Sequence, residues 1–390
     1  MRIALVTDTY IPQVNGVTTV VHRIARVLER AGHGVGIVAP RYPHGDDGGP
    51  GDERVLRIPS VPSPLYPAIR LSLPFRRRVA GFLDALDPDV VHVATEGPLG
   101  VLGRSWARRR GVPLVTSFHT DFPRYARAYG FGVLESAVWR WLIAFHAPAA
   151  LVHTPGEAVR DALAARGLSQ VALWGRGVDA SHFRPDRRDL AWRRSLGAVG
   201  RGPVVLHVGR LAAEKNLDVL VAAFRMARRT LAEEAVFVVA GDGPRAPRVR
   251  RALPWARHVG FLDQRRLAAL YASADLCVLP SASETCGLVA LEAMASGLPV
   301  VAAAAGGLRE SVVHGRSGLL VPPHDAGRFA DAIVHLVRDT DLRRDLSAGA
   351  RRAAVARDVA LESQELLSQY AALIPQPRQE GIPCAVSSSS

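Results

Sequence analysis

Lys215 is the only lysine among the 49 basic residues of this 390-residue chain. It follows Arg210 in a loop between a strand-like run, Val204 to Val208, and a helical run that opens at Asn216. Such strand-to-helix junctions bind phosphate in α/β proteins, because the first amides of the helix point at the ligand. An ammonium is more compact than a guanidinium, so a single retained lysine indicates a place where arginine does not fit. We predict that Arg210 and Lys215 neutralise a diphosphate; survival of a surface lysine by chance is the alternative.

A second segment whose residues could bind a ligand or catalyse a reaction follows the strand-like run Leu276 to Leu279. It carries two carboxylates, Glu284 and Glu292. A helix that begins near Gly287 would bring Glu292 onto or beside its apolar stripe, where an unpartnered carboxylate is costly. We therefore expect Glu292 to accept hydrogen bonds from a fixed group such as a ribose or sugar diol, unless it is a structural glutamate paired within the protein. Glu284 can face a cleft, and the free amides of residues 286–288 form an anion site.

Two loops in the first half of the chain complete the candidate site. Gly16, between Asn15 and Val17, allows close approach of the backbone to a ligand at the start of a helix, although an ordinary turn glycine has the same appearance. His119 follows a strand-like run, and we place it at the same cleft. A core histidine paired with backbone is the alternative for His119.

These loops need a scaffold, and the pattern of the chain supplies one. Short β-branched runs alternate with longer amphipathic segments, which predicts parallel sheets in both halves. We expect an α/β protein with two doubly wound domains that face each other across a cleft. The predicted strands are Ile3 to Val6, Val35 to Val38, Val90 to Val93, Leu114 to Thr116, Ala149 to Val152, Val204 to Val208, Val236 to Ala240, Leu276 to Leu279, Val300 to Ala302 and Gly318 to Val321.

Composition shifts divide the chain into five parts. We predict a first domain over residues 1–182, a polar and proline-marked linker over 183–202, and a second domain over 203–356. A helix over 357–373 is expected to cross back to the first domain. The remaining tail, 374–390, is too polar and proline-rich to pack, and we expect it to be disordered.

The net charge of +13 favours an anionic partner, which could be nucleic acid, a membrane surface or a phosphorylated small molecule. Nucleic acid is not expected, since no helix-turn-helix, zinc-finger or RNP-type pattern is present and aromatic residues make up only 6% of the chain. Arg76–Arg78, Arg108–Arg110 and the segment Pro62 to Pro74 suit an anionic membrane surface, although a solvated basic surface would look the same. The cysteines lack metal-ligand spacing and no DxD pair is evident, so no bound metal is predicted. The chain enters a strand pattern at once, and we expect a cytoplasmic protein that is either free or peripheral at the inner face of the membrane.

Taken together, these motifs resemble those of the GT-B glycosyltransferases of family GT4. Glu284 to Glu292 resembles the E-x7-E motif of that family, and Gly209-Arg210 with Glu214-Lys215-Asn216 resembles its G-R-x-x-x-x-K-N phosphate loop. Asn15-Gly16-Val17 resembles its glycine loop. Three further segments, Asp89 to Pro98, Ser117 to Thr120 and Trp174 to Asp179, are most similar to actinobacterial GDP-mannose-dependent mannosyltransferases and to sulfoquinovosyl transferases that act on lipids. Cys286 departs from the pattern, since relatives usually carry phenylalanine there.

The resemblance implies a GT-B fold of two Rossmann-like domains and a role for each motif. It implies that Arg210 and Lys215 hold the donor diphosphate with help from the Gly16 amide, and that Glu292 binds the ribose. It further implies that the donor hexose and the base are held by a set of residues in both domains: Glu284, the amides of Gly287 and Leu288, His119 near the reacting carbon, and the segment around Val259 beside the base.

The implied reaction is retaining transfer of a hexose from a nucleotide diphosphate sugar to a hydroxyl, without a metal or other cofactor. GDP-mannose is the favoured donor, ahead of UDP-linked hexoses, and the acceptor is a lipid or another small molecule. A non-transferase GT-B protein, such as a sugar epimerase or a binding-only homologue, would retain the same nucleotide loops and is the alternative.

Overall fold

The computed structural model describes residues 1–13, 15–43, 54–62, 70–119, 132–175, 177–198 and 202–374. The predictions that concern residues 63–69, 120–122, Arg176 and 375–390 lie outside the described residues. In the described ranges, no helix combines the length and the apolar character needed to cross a bilayer.

The first half of the described chain forms a parallel sheet. The strands of this half are β1 (Arg2–Val6), β2 (Gly34–Pro40), β3 (Val55–Ile58), β4 (Ser60–Pro62), β5 (Arg70–Ser72), β6 (Val90–Val93), β7 (Leu114–Ser117), β8 (Leu151–Thr154) and β9 (Val171–Leu173). The sheet order is β3-β2-β1-β6-β7-β8-β9, while β4 and β5 form a separate antiparallel pair. The last predicted strand of this half begins at Leu151 rather than Ala149, because the Ala149 amide closes a turn onto the His146 carbonyl at 2.9 Å.

A second parallel sheet follows, as predicted. Its strands are β10 (Val204–Val208), β11 (Val236–Ala240), β12 (Arg257–Gly260), β13 (Leu276–Leu279), β14 (Val300–Ala303) and β15 (Gly318–Val321). Their order is β12-β11-β10-β13-β14-β15. In both sheets the chain moves outward from a central pair of strands in two directions, so each sheet has a switch point where the loops after neighbouring strands diverge and leave room for a ligand.

Helices cover the first sheet, and the first of them shows why they form. In α1 (Gly16–Arg30), Val20, Val21, Ile24 and Leu28 are buried on one face, as their spacing predicts. The Asn15 side chain caps the helix by accepting a hydrogen bond from the Thr18 amide at 2.8 Å. The other helices of this half are α2 (Arg76–Leu86), α3 (Pro98–Arg110), α4 (Glu135–His146) and α5 (Glu157–Ala164).

The segment 183–198, which covers most of the predicted linker, packs against the second sheet. It contains a 3-10 turn, Pro185–Arg187, and α6 (Leu190–Ser195), while Phe183 and Leu196 are buried in the core of the second sheet. The helices that follow are α7 (Leu217–Leu231), α8 (Ala246–Ala252), α9 (Gln264–Ser273), α10 (Leu288–Ala295), α11 (Gly306–Ser311), α12 (Ala326–Arg338) and α13 (Thr340–Val355).

The final helix, α14 (Val359–Leu373), returns to the first sheet. Leu366 and Tyr370 are buried in the same core cluster as residues of β1 and α1. The Glu362 carboxylate also accepts hydrogen bonds from the amides of Gly175 and Gly177, at 2.6 and 3.0 Å. This helix therefore ties the end of the second lobe to the first lobe.

Candidate active site

The phosphate loop begins where β10 ends and holds Arg210 and Lys215. Lys215 closes a 3-10 turn, Ala213–Lys215, and Asn216 then adopts a left-handed conformation, with φ of 50°, before α7 begins. Asparagine tolerates that conformation better than most residues. The Asn216 side-chain amide donates a hydrogen bond to the Pro280 carbonyl at 3.1 Å, so the loop is fixed to the end of β13.

Lys215 and Glu284 form an ion pair in which Lys215 Nζ lies 2.6 Å from Glu284 Oε1. The side chains are 18% and 19% exposed, so both belong to a cleft rather than to the open surface. Burial would raise the pKa of Glu284, but the charge and hydrogen bond of Lys215 and the hydroxyl of Ser281 outweigh that effect and hold the pKa below its ordinary value. Glu284 is therefore an anion beside the cation that the sequence assigned to a diphosphate.

Glu214 is a residue of this site whose role the sequence did not reveal. Its buried carboxylate pairs with the Arg210 guanidinium, four residues before it. Its carbonyl accepts a hydrogen bond from the Ser283 hydroxyl at 2.9 Å, which links the phosphate loop to the loop that carries Glu284. An acidic residue between two cations was the available signal, but the sequence alone did not show which cation it would hold.

Helix α10 begins at Leu288, one residue after the predicted start. Gly287 precedes it with φ of 73°, a left-handed conformation that glycine adopts without steric cost. The amides of Ala290 and Leu291 donate hydrogen bonds to the Gly287 carbonyl at 2.8 and 3.2 Å. Those of Leu288 and Val289 have no acceptor within the helix, so the helix start presents partial positive charge near the Lys215–Glu284 pair. Leu288 packs against the cores of both lobes, which places this helix end at the seam between the two sheets.

Glu292 lies half-buried on α10, and its partner comes from another helix. The Tyr271 hydroxyl donates a hydrogen bond to Glu292 Oε2 at 3.3 Å. Burial raises the pKa of Glu292 to about 7, against the opposing effects of the Tyr271 hydroxyl and the charge of Arg23. The sequence predicts a fixed hydrogen-bond donor for the Glu292 carboxylate, and the Tyr271 hydroxyl is one such donor. The other lone pairs of the carboxylate can accept hydrogen bonds from a diol.

His119 reaches the same seam from the first sheet. Its carbonyl accepts a hydrogen bond from the Thr285 hydroxyl at 3.3 Å, so the residue next to Glu284 touches the first lobe. His119 Nε2 is buried and has no hydrogen-bond partner in the described part of the chain. Burial, followed by the charges of His153 and His146, lowers the pKa of His119 to about 4. The imidazole is therefore neutral at ordinary pH.

Gly16 and Val259 lie on separate elements, one in each lobe. Gly16 is exposed at the start of α1, and a Cβ added there would meet nothing within 4 Å. Val259 is half-buried in β12, the edge strand of the second sheet. Among the described residues, hydrogen bonds connect His119, Lys215, Glu284 and their neighbours into one group, and neither Gly16 nor Val259 takes part in them. The described residues also contain no group of three or more His, Cys, Asp or Glu suited to a metal ion.

Two parallel sheets with flanking helices, one sheet in each lobe, are the GT-B architecture of glycosyltransferases. Solved structures agree with this fold. Anabaena HepE in complex with UDP superimposes with a TM-score of 0.76 at 22% identity, covering 95% of this chain and 100% of that chain. Sucrose-phosphate synthase from Thermosynechococcus elongatus gives 0.78 at 23% identity, covering 96% and 99%.

The chain belongs to glycosyltransferase family 4. Residues 14–182 match the model described as Glycosyltransferase Family 4, and residues 202–339 match that of glycosyl transferases group 1. The GDP-mannose-dependent alpha-mannosyltransferase of Mycolicibacterium smegmatis is 39% identical over 384 residues, covering 96% of this chain and 98% of that protein. The Mycobacterium tuberculosis enzyme of the same name is 36% identical, with 96% and 97% covered. Sulfoquinovosyl transferase SQD2 of Arabidopsis thaliana is 34% identical, covering 76% of this chain and 59% of that protein.

Proposed function

We propose that this protein is a retaining mannosyltransferase that moves mannose from GDP-mannose to a hydroxyl of a lipid or other small-molecule acceptor. The observation that carries the proposal is the Lys215–Glu284 pair, which sets a cation for a diphosphate beside a carboxylate for a hexose. Three relatives that span nearly this whole chain are named GDP-mannose-dependent alpha-mannosyltransferases, which supports mannose and guanosine as the donor groups.

Fixed positive charge is the proposed source of catalysis. Arg210, Lys215 and the amides at the start of α10 stabilise the diphosphate as negative charge develops on it, in place of a divalent metal. The Glu284 carboxylate accepts hydrogen bonds from hexose hydroxyls, and Glu292 accepts from the ribose diol. His119, which is neutral, can donate one hydrogen bond to the sugar near the reacting carbon.

The proposed step is a front-side substitution at the anomeric carbon. The bond from that carbon to the diphosphate oxygen breaks, and the bond to the acceptor oxygen forms on the same face. The acceptor proton passes to the leaving phosphate oxygen, so the products are GDP and the mannosylated acceptor with retained configuration. Trapping of a covalent mannosyl-enzyme would contradict this step.

An exposed apolar and basic face on the first lobe supports a lipid acceptor. Leu71, Leu73 and Phe75 are 38%, 39% and 41% exposed, and Arg76–Arg78 extend from the start of α2 beside them. Apolar side chains flanked by arginines suit the boundary between anionic headgroups and acyl chains. We propose that this face holds the protein at an anionic membrane.

Further exposed apolar side chains lie on two helices of the same lobe. Val101 on α3 and Trp141 on α4 are 41% and 45% exposed. Arg104, Arg108 and Arg109 line a shallow cavity with Val101, and the Arg104 guanidinium donates a hydrogen bond to the α4 backbone at 2.9 Å. The second arginine cluster therefore lies on the same lobe as the first.

Acceptor-dependent release of GDP tests the transferase directly. The purified protein is incubated with GDP-mannose, with and without a panel of lipid and soluble acceptors, and the anomeric configuration of any product is read by NMR. We expect slow donor hydrolysis without acceptor, faster GDP release with the correct acceptor, and an α-linked product. An epimerase would change the sugar without releasing GDP, and a binding-only protein would do neither.

Sedimentation with vesicles tests the membrane face. Replacement of Arg76, Arg77 and Arg78 by alanine should reduce binding to vesicles that contain anionic lipid. A matched control removes the same charge from the second lobe, through alanine at the exposed Arg229, Arg250 and Arg251. Equal loss of binding in both variants would indicate net charge alone, and no binding by the wild type would contradict the membrane proposal.

A further inference from the structure

His207 is a buried histidine directly behind the phosphate loop. It lies near the end of β10 and is only 3% exposed. Its Nδ1 is 2.9 Å from the carbonyl oxygen of Val278 in the neighbouring strand β13. A carbonyl oxygen only accepts hydrogen bonds, so Nδ1 carries the proton of the neutral ring, and Nε2 is left with a lone pair.

The unused nitrogen lies beside the first residue of the phosphate loop. Nε2 is buried and has no hydrogen-bond partner among the described residues. A Cβ built on Gly209, the first residue of the phosphate loop, would lie 3.7 Å from Nε2. Burial lowers the pKa of His207 to about 4 against the hydrogen bond to Val278, and the charges of Lys215 and Glu284 act in opposite directions on the same ring. The imidazole is therefore a neutral acceptor close to that pair.

A buried acceptor without a partner is unfavourable, so its presence here requires an explanation. Phosphate oxygens are themselves acceptors and cannot satisfy Nε2. Two charged side chains, Lys215 and Glu284, act electrostatically on the ring. Of these, only the Lys215 ammonium can donate, through three N–H bonds, one of which is directed to Glu284.

We propose that His207 Nε2 accepts a hydrogen bond from Lys215 when a nucleoside diphosphate binds, and that His207 thereby positions Lys215. This inference rests on the proposed function. With the diphosphate bound, the ammonium divides its three donors among Glu284, a phosphate oxygen and His207. The broad planar fork of an arginine does not offer that arrangement, which explains why a chain so rich in arginine retains lysine at this position.

Two substitutions of His207 test the roles of the two ring nitrogens separately. In His207→Asn the side-chain amide takes the place of Nδ1 and retains the bond to Val278, but the acceptor toward Lys215 is lost. In His207→Gln the amide oxygen reaches the position of Nε2 and restores that acceptor. Calorimetric titration with GDP should show affinity at least about tenfold weaker for the asparagine variant, a typical loss for a hydrogen bond to a charged group. The glutamine variant should retain affinity within about threefold of the wild type. Thermal unfolding of each variant checks that the lobe is folded.

The same substitutions in a Lys215→Met background decide whether His207 acts through Lys215. If it does, His207→Asn should change GDP affinity by less than about twofold in that background, because the coupling partner is gone. A loss of equal size in both backgrounds, or equal affinity of the asparagine and glutamine variants, would overturn the inference and leave His207 as a space-filling core residue. If the wild type binds no GDP, UDP or inorganic pyrophosphate, the proposed function fails as well.

Discussion

The Thr285 hydroxyl donates a hydrogen bond to the backbone carbonyl of His119 at 3.3 Å, and this contact joins the two lobes beside the proposed donor site. Thr285 follows Glu284 directly. The position of Glu284, which we propose to bind the donor hexose, therefore depends on a contact with the first lobe. Next to it, Cys286 Sγ lies 3.4 Å from the carbonyl oxygen of Gly175, also in the first lobe. The seam between the lobes therefore continues directly into the candidate site.

Thr285→Val should weaken transfer more than donor binding. The substitution keeps the shape of the side chain but removes the donor to His119, so the lobes meet less accurately while Lys215 and Arg210 remain. We expect kcat to fall about fivefold to tenfold, equivalent to roughly 1 kcal/mol, with a smaller change in KM for GDP-mannose. Steady-state kinetics measure both constants. Thr230→Val, at an exposed position on α7, is the control, and an unchanged kcat in Thr285→Val would show that the contact is incidental.

Lys215→Arg preserves charge but should impair diphosphate binding. The guanidinium is too broad to keep the contact with Glu284 and meet a phosphate in the same space. We expect GDP affinity to fall by about tenfold, measured by calorimetry. The reverse exchange at an exposed arginine, Arg248→Lys, should leave affinity unchanged. Equal affinity of Lys215→Arg and the wild type would refute the interpretation of the single lysine.

Glu292→Gln should stabilise the fold at alkaline pH and weaken nucleotide binding. The pKa of Glu292 is raised to about 7 by burial, so the folded state favours the protonated carboxyl. The stability that this preference contributes is fully present below pH 4.5 and is lost as pH rises through 7. Glutamine mimics the protonated form, so the free energy of unfolding of the variant should exceed that of the wild type by roughly 3 kcal/mol at pH 8 and match it near pH 4.5. Urea titrations across that range measure the difference, and a constant gap would contradict the assigned pKa.

Acidification should weaken the packing of α14 against the first sheet. His153 Nε2 lies 2.7 Å from the Gln369 side-chain oxygen on that helix, and burial lowers the pKa of His153 to about 4. The folded state favours the neutral ring, so stability is present above pH 6.5 and is lost as pH falls toward 4, by about 3 kcal/mol. His153→Gln keeps a donor toward Gln369 without a titrating group, and its unfolding free energy should depend less on pH in this window. His335→Gln, at an exposed position, should leave the dependence unchanged; identical pH curves for wild type and His153→Gln would remove His153 as its source.

Much of the sheet structure followed from the sequence because buried parallel strands are continuous apolar runs. Val204–Val208 and Leu276–Leu279 are buried along their whole length, and both were predicted. Strand β12 was not predicted, because its exposed Arg257 and half-buried neighbours at the sheet edge give no apolar signal. The packing of Phe183 and Leu196 was also not predicted, because these two apolar residues lie in a segment that is otherwise polar and proline-marked.

The motif residues of the site were visible in the sequence, but their partners were not. The ion pair between Lys215 and Glu284 joins residues 69 positions apart, because β10 and β13 are neighbours in the sheet although two strands separate them in the chain. No local pattern encodes that adjacency. For the same reason, the hydroxyl of Tyr271 beside Glu292 and the carboxylate of Glu214 beside Arg210 became apparent only from the folded structure.

A donor panel scored by thermal unfolding tests the central claim most directly. The wild type and Lys215→Met are melted with GDP-mannose, GDP-glucose, UDP-glucose, UDP-galactose or mannose alone. Ligand at about one hundred times Kd stabilises a folded protein by about 2.7 kcal/mol, which raises Tm by several degrees. We predict that GDP-mannose gives the largest shift with the wild type and that Lys215→Met loses most of it. If no nucleotide sugar shifts the wild type, or if the shift survives in Lys215→Met, then this cleft does not hold a diphosphate donor through Lys215.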